Sequence, residues 1–261
     1  MQLIRKNPIN KGEMDMLDLR KIRFPLLKAE AHNPGEIRKE HFRQRGEVAV
    51  NNLKRNNFHA YYCSTMEEAR QQVLTLIPND STIGFGDSHT IFALELEESL
   101  EEKNCISIPH TCAVNANAYR EKMEGFEILG DSQQTREILM QYLVADVFML
   151  GANAITMDGQ IINIDGAGNR IAGSIYGSER MIFIAGANKL VRDVETGLVR
   201  IRDEAAQMNN IKYEHALSCN KTGLCQECTS EHRNCNITAI YHKQPVAGDF
   251  HVIIIGEELG F

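Results

Sequence analysis

The sequence predicts an α/β protein built on a mostly parallel sheet with helices over both faces. Three observations predict it. Strand-like and helix-like segments alternate along the chain, the strand-like segments are apolar throughout, and glycine-rich loops follow several of them. A strand buried on both faces has no polar side to show, and parallel neighbours need a crossover, usually a helix, between them.

Residues 1–35 are polar, interrupted by Pro8, Pro25 and Pro34, and lack sustained periodicity. They read as an N-terminal extension that packs loosely or onto a partner, ahead of a single α/β domain over 36–261. From Glu36 to Asn57 the pattern suits an amphipathic helix with Ile37, Phe42, Val48 and Leu53 on one side. "FHAYYC" (58–63) reads as a strand, and residues 65–77 as a helix capped by Ser64 or Thr65. "STIGFG" (81–86) is a strand running into glycines, "SHTIFALELEESLEE" (88–102) a helix and "CISI" (105–108) a short strand. "TREILMQYLVA" (135–145) is helical and "DVFML" (146–150) a buried strand. "AITMDGQIINI" (154–164) reads as two strands around Asp158-Gly159, a dipeptide that favours a tight hairpin turn. "RMIFIAGA" (180–187) is a strand, residues 190–208 a long helix, and "ITAIYH" (237–242) and "FHVIIIG" (250–256) are the closing strands.

Composition narrows the function classes. Against 28 Lys+Arg stand 35 Asp+Glu, a net charge of −7, which favours neither nucleic acid nor an anionic membrane as partner. No apolar run approaches the roughly 18 residues of a membrane helix, and no secretory signal pattern comes after Met1. The expectation is a cytoplasmic protein.

That expectation bears on the cysteines. Four of the seven lie between Cys219 and Cys235, spaced as Cys219-x5-Cys225-x2-Cys228-x6-Cys235. Cytosolic thiols are kept reduced, so disulfides explain the cluster poorly and metal ligation explains it better. Gly223 lets the chain fold back before Cys225. Four thiolates complete a zinc site or an iron–sulfur cluster. The spacing is neither two C-x2-C pairs nor C-x2-C-x2-C, so both metals stay open beside a bare, reduced segment. His215 and His232 are reserve ligands, and Cys63, Cys105 and Cys112 need no role beyond packing.

Three loops stand where a parallel sheet places its binding crevice, just beyond strand C-termini. In "GFGDSHT" (84–90), Gly84, Gly86 and Ser88 turn backbone amides toward a ligand, a simple helix cap by Asp87 or Ser88 being the alternative. Residues 153–170 gather Asn153, Thr156, Asp158, Asn163, Asp165, Asn169 and Arg170 around Gly159, Gly166 and Gly168. Turns account for the Asp-Gly pairs singly; a carboxylate, an amide and a guanidinium beside exposed backbone would suit an anionic substrate. "GANKLV" (186–191) adds Asn188 and Lys189. Glu257, after the last strand, either reaches the same crevice or makes a surface salt bridge.

The segments "NAIT.DG..IN.DG.GNR", "G.NK.V", "C.....TG.C..C......C" and "GE.LGF" resemble the LUD-domain family, the lactate-utilisation proteins, in the branch with a C-terminal cysteine segment. The resemblance covers most of residues 36–261. It implies a fold like that of glucosamine-6-phosphate deaminase, ribose-5-phosphate isomerase and the CoA transferases. It also implies an acid/base carboxylate at Asp158 or Asp165, with Lys189 and Arg170 holding an anion. The chain departs from the family in carrying Gly86-Asp87-Ser88 where relatives have paired glycines, and "IPHT" (108–111) where relatives carry a charged pair, leaving His110 as a proton-transfer candidate.

Two functions are implied. One is an enzyme of organic-acid redox metabolism acting on a small anionic metabolite, with an iron–sulfur cluster or zinc on the four cysteines. The other is a non-catalytic accessory subunit of an oxidoreductase complex, bound to a redox partner protein. For oligomeric state the expectation is the commonest one, a homodimer.

Overall fold

The computed structural model describes residues 33–108, 140–214 and 216–261. Residues 1–32 of the N-terminal extension, His110, Cys112, His215 and the first half of the 135–145 helix lie outside the described residues. The chain divides into Met1–Ile37 and Arg38–Phe261. Of the first unit only residues 33–37 are described; they open helix α1 (Pro34–Arg55), with the Gly35 N–H on Asn33 Oδ1 at 2.9 Å. Among the described residues, the second unit holds every strand.

Its strands are β1 (His59–Cys63), β2 (Thr82–Phe85), β3 (Ile106–Ile108), β4 (Val147–Gly151) and β5 (Ala154–Thr156). They continue with β6 (Ile161–Asp165), β7 (Arg180–Gly186), β8 (Leu190–Val191), β9 (Ile237–Tyr241) and β10 (Asp249–Ile255). Six of them form one sheet in the order β1-β10-β7-β4-β2-β3, every pairing parallel. The mostly parallel α/β fold read from the sequence is the fold observed.

Alternate residues of the central strands feed two cores. Phe148, Leu150, Phe183, Val252 and Ile254 face one side with Leu53 of α1, while Val147, Met149, Ile182, Ile184 and Ile253 face the other with Val73. Both faces are therefore covered, which is why these strands carry no polar alternation. Helix α2 (Met66–Leu76) begins where Thr65 Oγ1 accepts from Glu68 N at 3.2 Å, one of the two caps the sequence offered.

Four features depart from the sequence reading. Residues 88–102 form two short helices, α3 (His89–Phe92) and α4 (Glu97–Glu102), because the chain turns through a left-handed Glu95 (φ 48°) to bury both Leu94 and Leu96. The buried stripe of α1 is Gly46, Ala49, Val50 and Leu53, which leaves Val48 48% exposed. The 154–164 hairpin is present, but it belongs to a second sheet, β8-β5-β6-β9, that was not foreseen. Residues 190–191, expected to open a helix, are its edge strand β8, paired in parallel with Ile155 and Thr156.

The second sheet lies over the first, with Ile155 and Ile161 in the shared core and Tyr241 edge-on to Phe183 at 5.2 Å. Its other side, Ala154, Ile162 and Ile164, packs with Ile201 and Val191. Helix α5 (Asn169–Ile175) precedes β7. After β8, Asp193 Oδ1 caps α6 (Val194–Arg200) by accepting from Thr196 N at 2.9 Å, and a π-helical stretch, Ile201–Ala205, leads into α7 (Ala206–Lys212). Helix α8 (Ser218–Thr222) then carries Cys219 and ends at Gly223, left-handed at φ 69°. Among the described residues no helix is long and apolar enough to cross a membrane.

Candidate functional site

The C-terminal ends of β2, β4 and β7 open on one crevice, and its innermost group is Lys189. This lysine ends the short turn Ala187–Lys189 after β7, with 3% of its surface exposed. Among the described residues its hydrogen-bond partner is Thr90 Oγ1, at 3.4 Å. Burial, with repulsion from Arg200 and Arg170 added, pulls its ammonium down to about 7.

Arg170 stands beside it at the start of α5. Its guanidinium donates through Nη2 to Ile164 O at 2.6 Å, and its stem lies on Gly86, where a Cβ would come 3.0 Å from Arg170 Cδ. Asp165, 5% exposed, accepts the N–H groups of Arg170 and Ile171 on Oδ2 at 3.0 and 3.2 Å, and the Arg170 Nε lies 3.7 Å from the same oxygen. One carboxylate thus caps α5 and steadies the guanidinium. Arg170 lines both compartments of the crevice: one with Ser88, Asn153 and Lys189, the other with Asp165, Gly166, Asn169 and Tyr213.

Asn153 and Asn163 fasten the walls. Asn163 Oδ1 accepts from Asn153 N at 2.8 Å, and Asn153 Oδ1 from Ile164 N at 2.9 Å. Asn188 grips the segment after β10: its Oδ1 accepts from Leu259 N at 3.1 Å and its Nδ2 donates to Gly260 O at 3.2 Å. That segment lies over Lys189. Gly260 is left-handed at φ 57°, and a Cβ there would stand 3.3 Å from Lys189 Nζ and 2.9 Å from Thr90 Oγ1.

The remaining residues singled out from the sequence sit elsewhere. Asp158 lies in the hairpin turn, hydrogen-bonded to Thr156 Oγ1 and, at 2.8 Å, to Gln160 Nε2, while Asn56 Nδ2 of the Asn56–Asn57 turn donates to its carbonyl at 3.0 Å. Thr156 is spent on the same turn, accepting from Gln160 N at 2.9 Å. Glu257 accepts from Met66 N at 2.9 Å and so caps α2. Gly84 makes room for Tyr142 O and the Phe148 ring. Gly168, at φ 87°, is the residue from which α5 starts.

Sequence reasoning missed Arg200 and Asn209, and read Asp87 only as a helix cap. Asp87 borders both compartments and is held by Lys212 Nζ at 2.7 Å and by the Tyr213 hydroxyl. Asn209 of α7 also borders both. Arg200, 8% exposed, donates through Nη1 to Asn153 O at 2.7 Å and through Nε to Asn188 O at 3.3 Å, propping two crevice loops from behind. The available signal was weak: Arg200 falls on the buried side of its helix with Gly197 and Ile201.

The four clustered cysteines line one cavity of about 300 Å³, together with Asn210, Arg233 and Ile164. The described cysteines are all free thiols. Among the described residues no group of three or more His, Cys, Asp or Glu is gathered at coordination spacing. Four sulfurs are a donor set that suits a thiophilic metal, and two of them are already oriented by the protein: Cys235 Sγ accepts from Arg233 Nε at 3.2 Å and Cys219 Sγ from Asn210 Nδ2 at 3.6 Å. The cavity and the crevice share Ile164 and Ala206 as walls. The cysteine segment also braces the glycine loop, with Asn236 N on Asp165 O at 3.0 Å and Asn236 Nδ2 on Gly166 O at 3.1 Å.

The LUD-domain profile matches residues 46–255. The chain belongs to the LUD-domain family. That family is associated with lactate utilisation. Among solved structures, this LUD domain is similar to a DUF162 family protein from Deinococcus radiodurans at 12% identity, covering 83% of this chain and 98% of that one, with a TM-score of 0.44. It is similar to ribose 5 phosphate isomerase A from Neisseria gonorrhoeae at 17% identity, with 51% and 57% covered and a TM-score of 0.27. It is also similar to eIF2B delta from Chaetomium thermophilum at 14% identity, with 65% and 61% covered and a TM-score of 0.32. The comparison with curated proteins gives no match.

Proposed function

We propose that this LUD domain binds and transforms a small organic anion of lactate-type redox metabolism in the Lys189–Arg170 crevice, beside a metal centre held by Cys219, Cys225, Cys228 and Cys235. The observation that carries the reading is the placement of Lys189. An amine buried with Arg170 and Arg200 as its charged neighbours is costly in the free protein, and an entering anion relieves that cost. Arg170 offers the planar donor face that suits a carboxylate or phosphate. Asp165 and Asp87 are the carboxylates that line the crevice. Asp158 and Glu257 act as turn and cap residues.

The metal half of the reading rests on the shared cavity. Four thiolates suit zinc or an iron–sulfur cluster alike, and the family's association with lactate utilisation, a redox process, favours the iron–sulfur cluster. When bound, such a centre supplies one-electron chemistry or structural cross-linking; the protein's own residues hold the anion and shield it from water.

Isothermal titration with L-lactate, pyruvate and inorganic phosphate as separate probes tests the crevice. Binding of one probe by the wild type and its loss in Arg170→Ala support the proposal; no binding of any probe, or equal binding by the variant, refutes it. Metal analysis of anaerobically purified protein tests the cavity, where one equivalent of zinc without visible absorption would end the electron-transfer reading.

Leu224, next to Cys225, is 61% exposed and favours a second reading, an accessory subunit whose redox partner docks at the lip of the cysteine cavity. Purification from the native host separates the two, since a consistently solitary protein counts against the subunit.

A further inference from the structure

Asn210 is out of place on packing grounds. It lies on α7 with 1% of its surface exposed, its Nδ2 donates to Cys219 Sγ at 3.6 Å, and its Oδ1 has no hydrogen-bond partner. Leaving a buried acceptor unmet costs about 1–3 kcal/mol, whereas an apolar residue of similar shape carries no such cost. Around it the cavity is lined by the apolar Leu217 and Ala206 as well as by Gln207, and none of these meets its oxygen. What the amide contributes is a donor aimed at sulfur.

Arg233 does the same from the cysteine segment. Its Nε donates to Cys235 Sγ at 3.2 Å, its Nη1 to Cys228 O at 2.5 Å and its Nη2 to Cys235 O at 2.9 Å. One guanidinium therefore ties together the loop between the last two cysteines and turns its charge toward a sulfur. The first and last of the four thiols each receive one N–H donor.

We propose that Asn210 and Arg233 are positioning residues of the thiolate-held metal centre, fixing Cys219 and Cys235 toward the cavity and stabilising negative charge on their sulfurs. This rests on the reading that the four cysteines carry a metal. Loss of either donor weakens metal retention, and removing an outer partner of this kind lowers metal affinity about 10- to 100-fold. In a redox-active cluster the donors favour the more negative, reduced form, so their loss lowers the reduction potential. On zinc they act through retention alone.

The test uses wild type, Asn210→Leu, Arg233→Gln and Arg233→Lys, each loaded anaerobically with iron and sulfide or, separately, with zinc. The readouts are metal per chain, chelator competition, visible absorption, reduction potential and metal-free melting temperature. Asn210→Leu is expected to melt, without metal, at or above the wild-type temperature, because the unmet oxygen is gone. Loaded, it loses metal to chelator about 10- to 100-fold more readily and, with iron, shows a lower potential. Arg233→Gln shifts the same way, and Arg233→Lys, which keeps the charge, recovers part of the loss. Variants that match the wild type in retention and potential overturn the inference while leaving the metal reading intact. A reduced wild type that takes up neither iron nor zinc overturns both. Should Asn210→Leu fail to fold, the Arg233 pair decides.

Discussion

Replacing Lys189 with Met should make the free protein more stable while removing its anion site. Met keeps the length of the stem and removes the ammonium. In the folded chain burial lowers the amine from its ordinary 10.5 to about 7, a displacement of about 3.5 pH units. At about 1.4 kcal/mol per unit, that sets a ceiling of about 5 kcal/mol on what the native state forgoes at neutral pH by housing this group. The sign comes from proton linkage. Between about pH 7 and 10.5 the unfolded chain binds the proton and the folded chain does not, so wild-type stability rises with pH through that window. The advantage of the variant is therefore largest at or below pH 7, shrinks through the window and vanishes above it. Chemical denaturation of both proteins from pH 6 to 10, with calorimetric titration of phosphate and lactate alongside, measures it. A variant less stable than wild type at pH 7 would mean that the ammonium makes net favourable contacts in the free protein, and the case for an anion-receptive crevice would lose its base.

Four further outcomes are expected. Gly86→Ala places a methyl 3.0 Å from Arg170 Cδ, the movable part of a flexible side chain, so anion affinity should fall several-fold in calorimetry with little change in melting temperature. Asp165→Asn weakens the cap on the Arg170 and Ile171 amides, costing about 1 kcal/mol in denaturant titrations and weakening anion binding in step. Asn188→Ala releases the 259–260 segment from over Lys189, and the amine should then react faster with a small acylating reagent, read by peptide mass spectrometry. Burial alone would raise the Asp249 carboxyl, but the close His251 ring, 2.9 Å away, and the hydrogen-bonded Arg180 outweigh it and hold it below its usual range. Its contribution is present above that range and fades as pH falls through the lowered value, so Asp249→Asn should flatten the acid limb of the stability profile below about pH 4.

The fold was legible wherever local chemistry and burial agreed. The runs 147–150, 181–185 and 252–255 are apolar on both parities because each parity feeds a different core, and that composition admits few alternatives to a central parallel strand. Residues 88–102 were misread because Leu94 and Leu96 are two apart, a spacing that suits neither one helix face nor its break; only the left-handed Glu95, stabilised by surrounding packing, resolves it. At 190–193 the local signal was present and was overridden. Asp193 with Thr196 three residues on marks a helix start, and reading it would have released Leu190 and Val191 to strand pairing.

The site was legible as a list of residue types and much less as an assembly. Asp158 and Asp165 carry the same Asp-Gly signature, yet one turns a hairpin beside the Asn56 side chain and the other caps α5 against Arg170. The residues downstream of each pair make the difference. Gln160 and Ile161 continue into a strand, whereas Gly168, Asn169 and Arg170 start a helix whose first amides need an acceptor. Arg200 and Asn209 escaped notice, and Asp87 was read only as a helix cap, because their roles depend on distance across the fold: α7 reaches the crevice only after the π-helical stretch at 201–205. An inserted residue of that kind rotates the faces of the helix beyond it. Here it leaves Asn209 on the crevice and Asn210 on the cysteine cavity, so adjacent side chains of one helix serve the two halves of the proposed site.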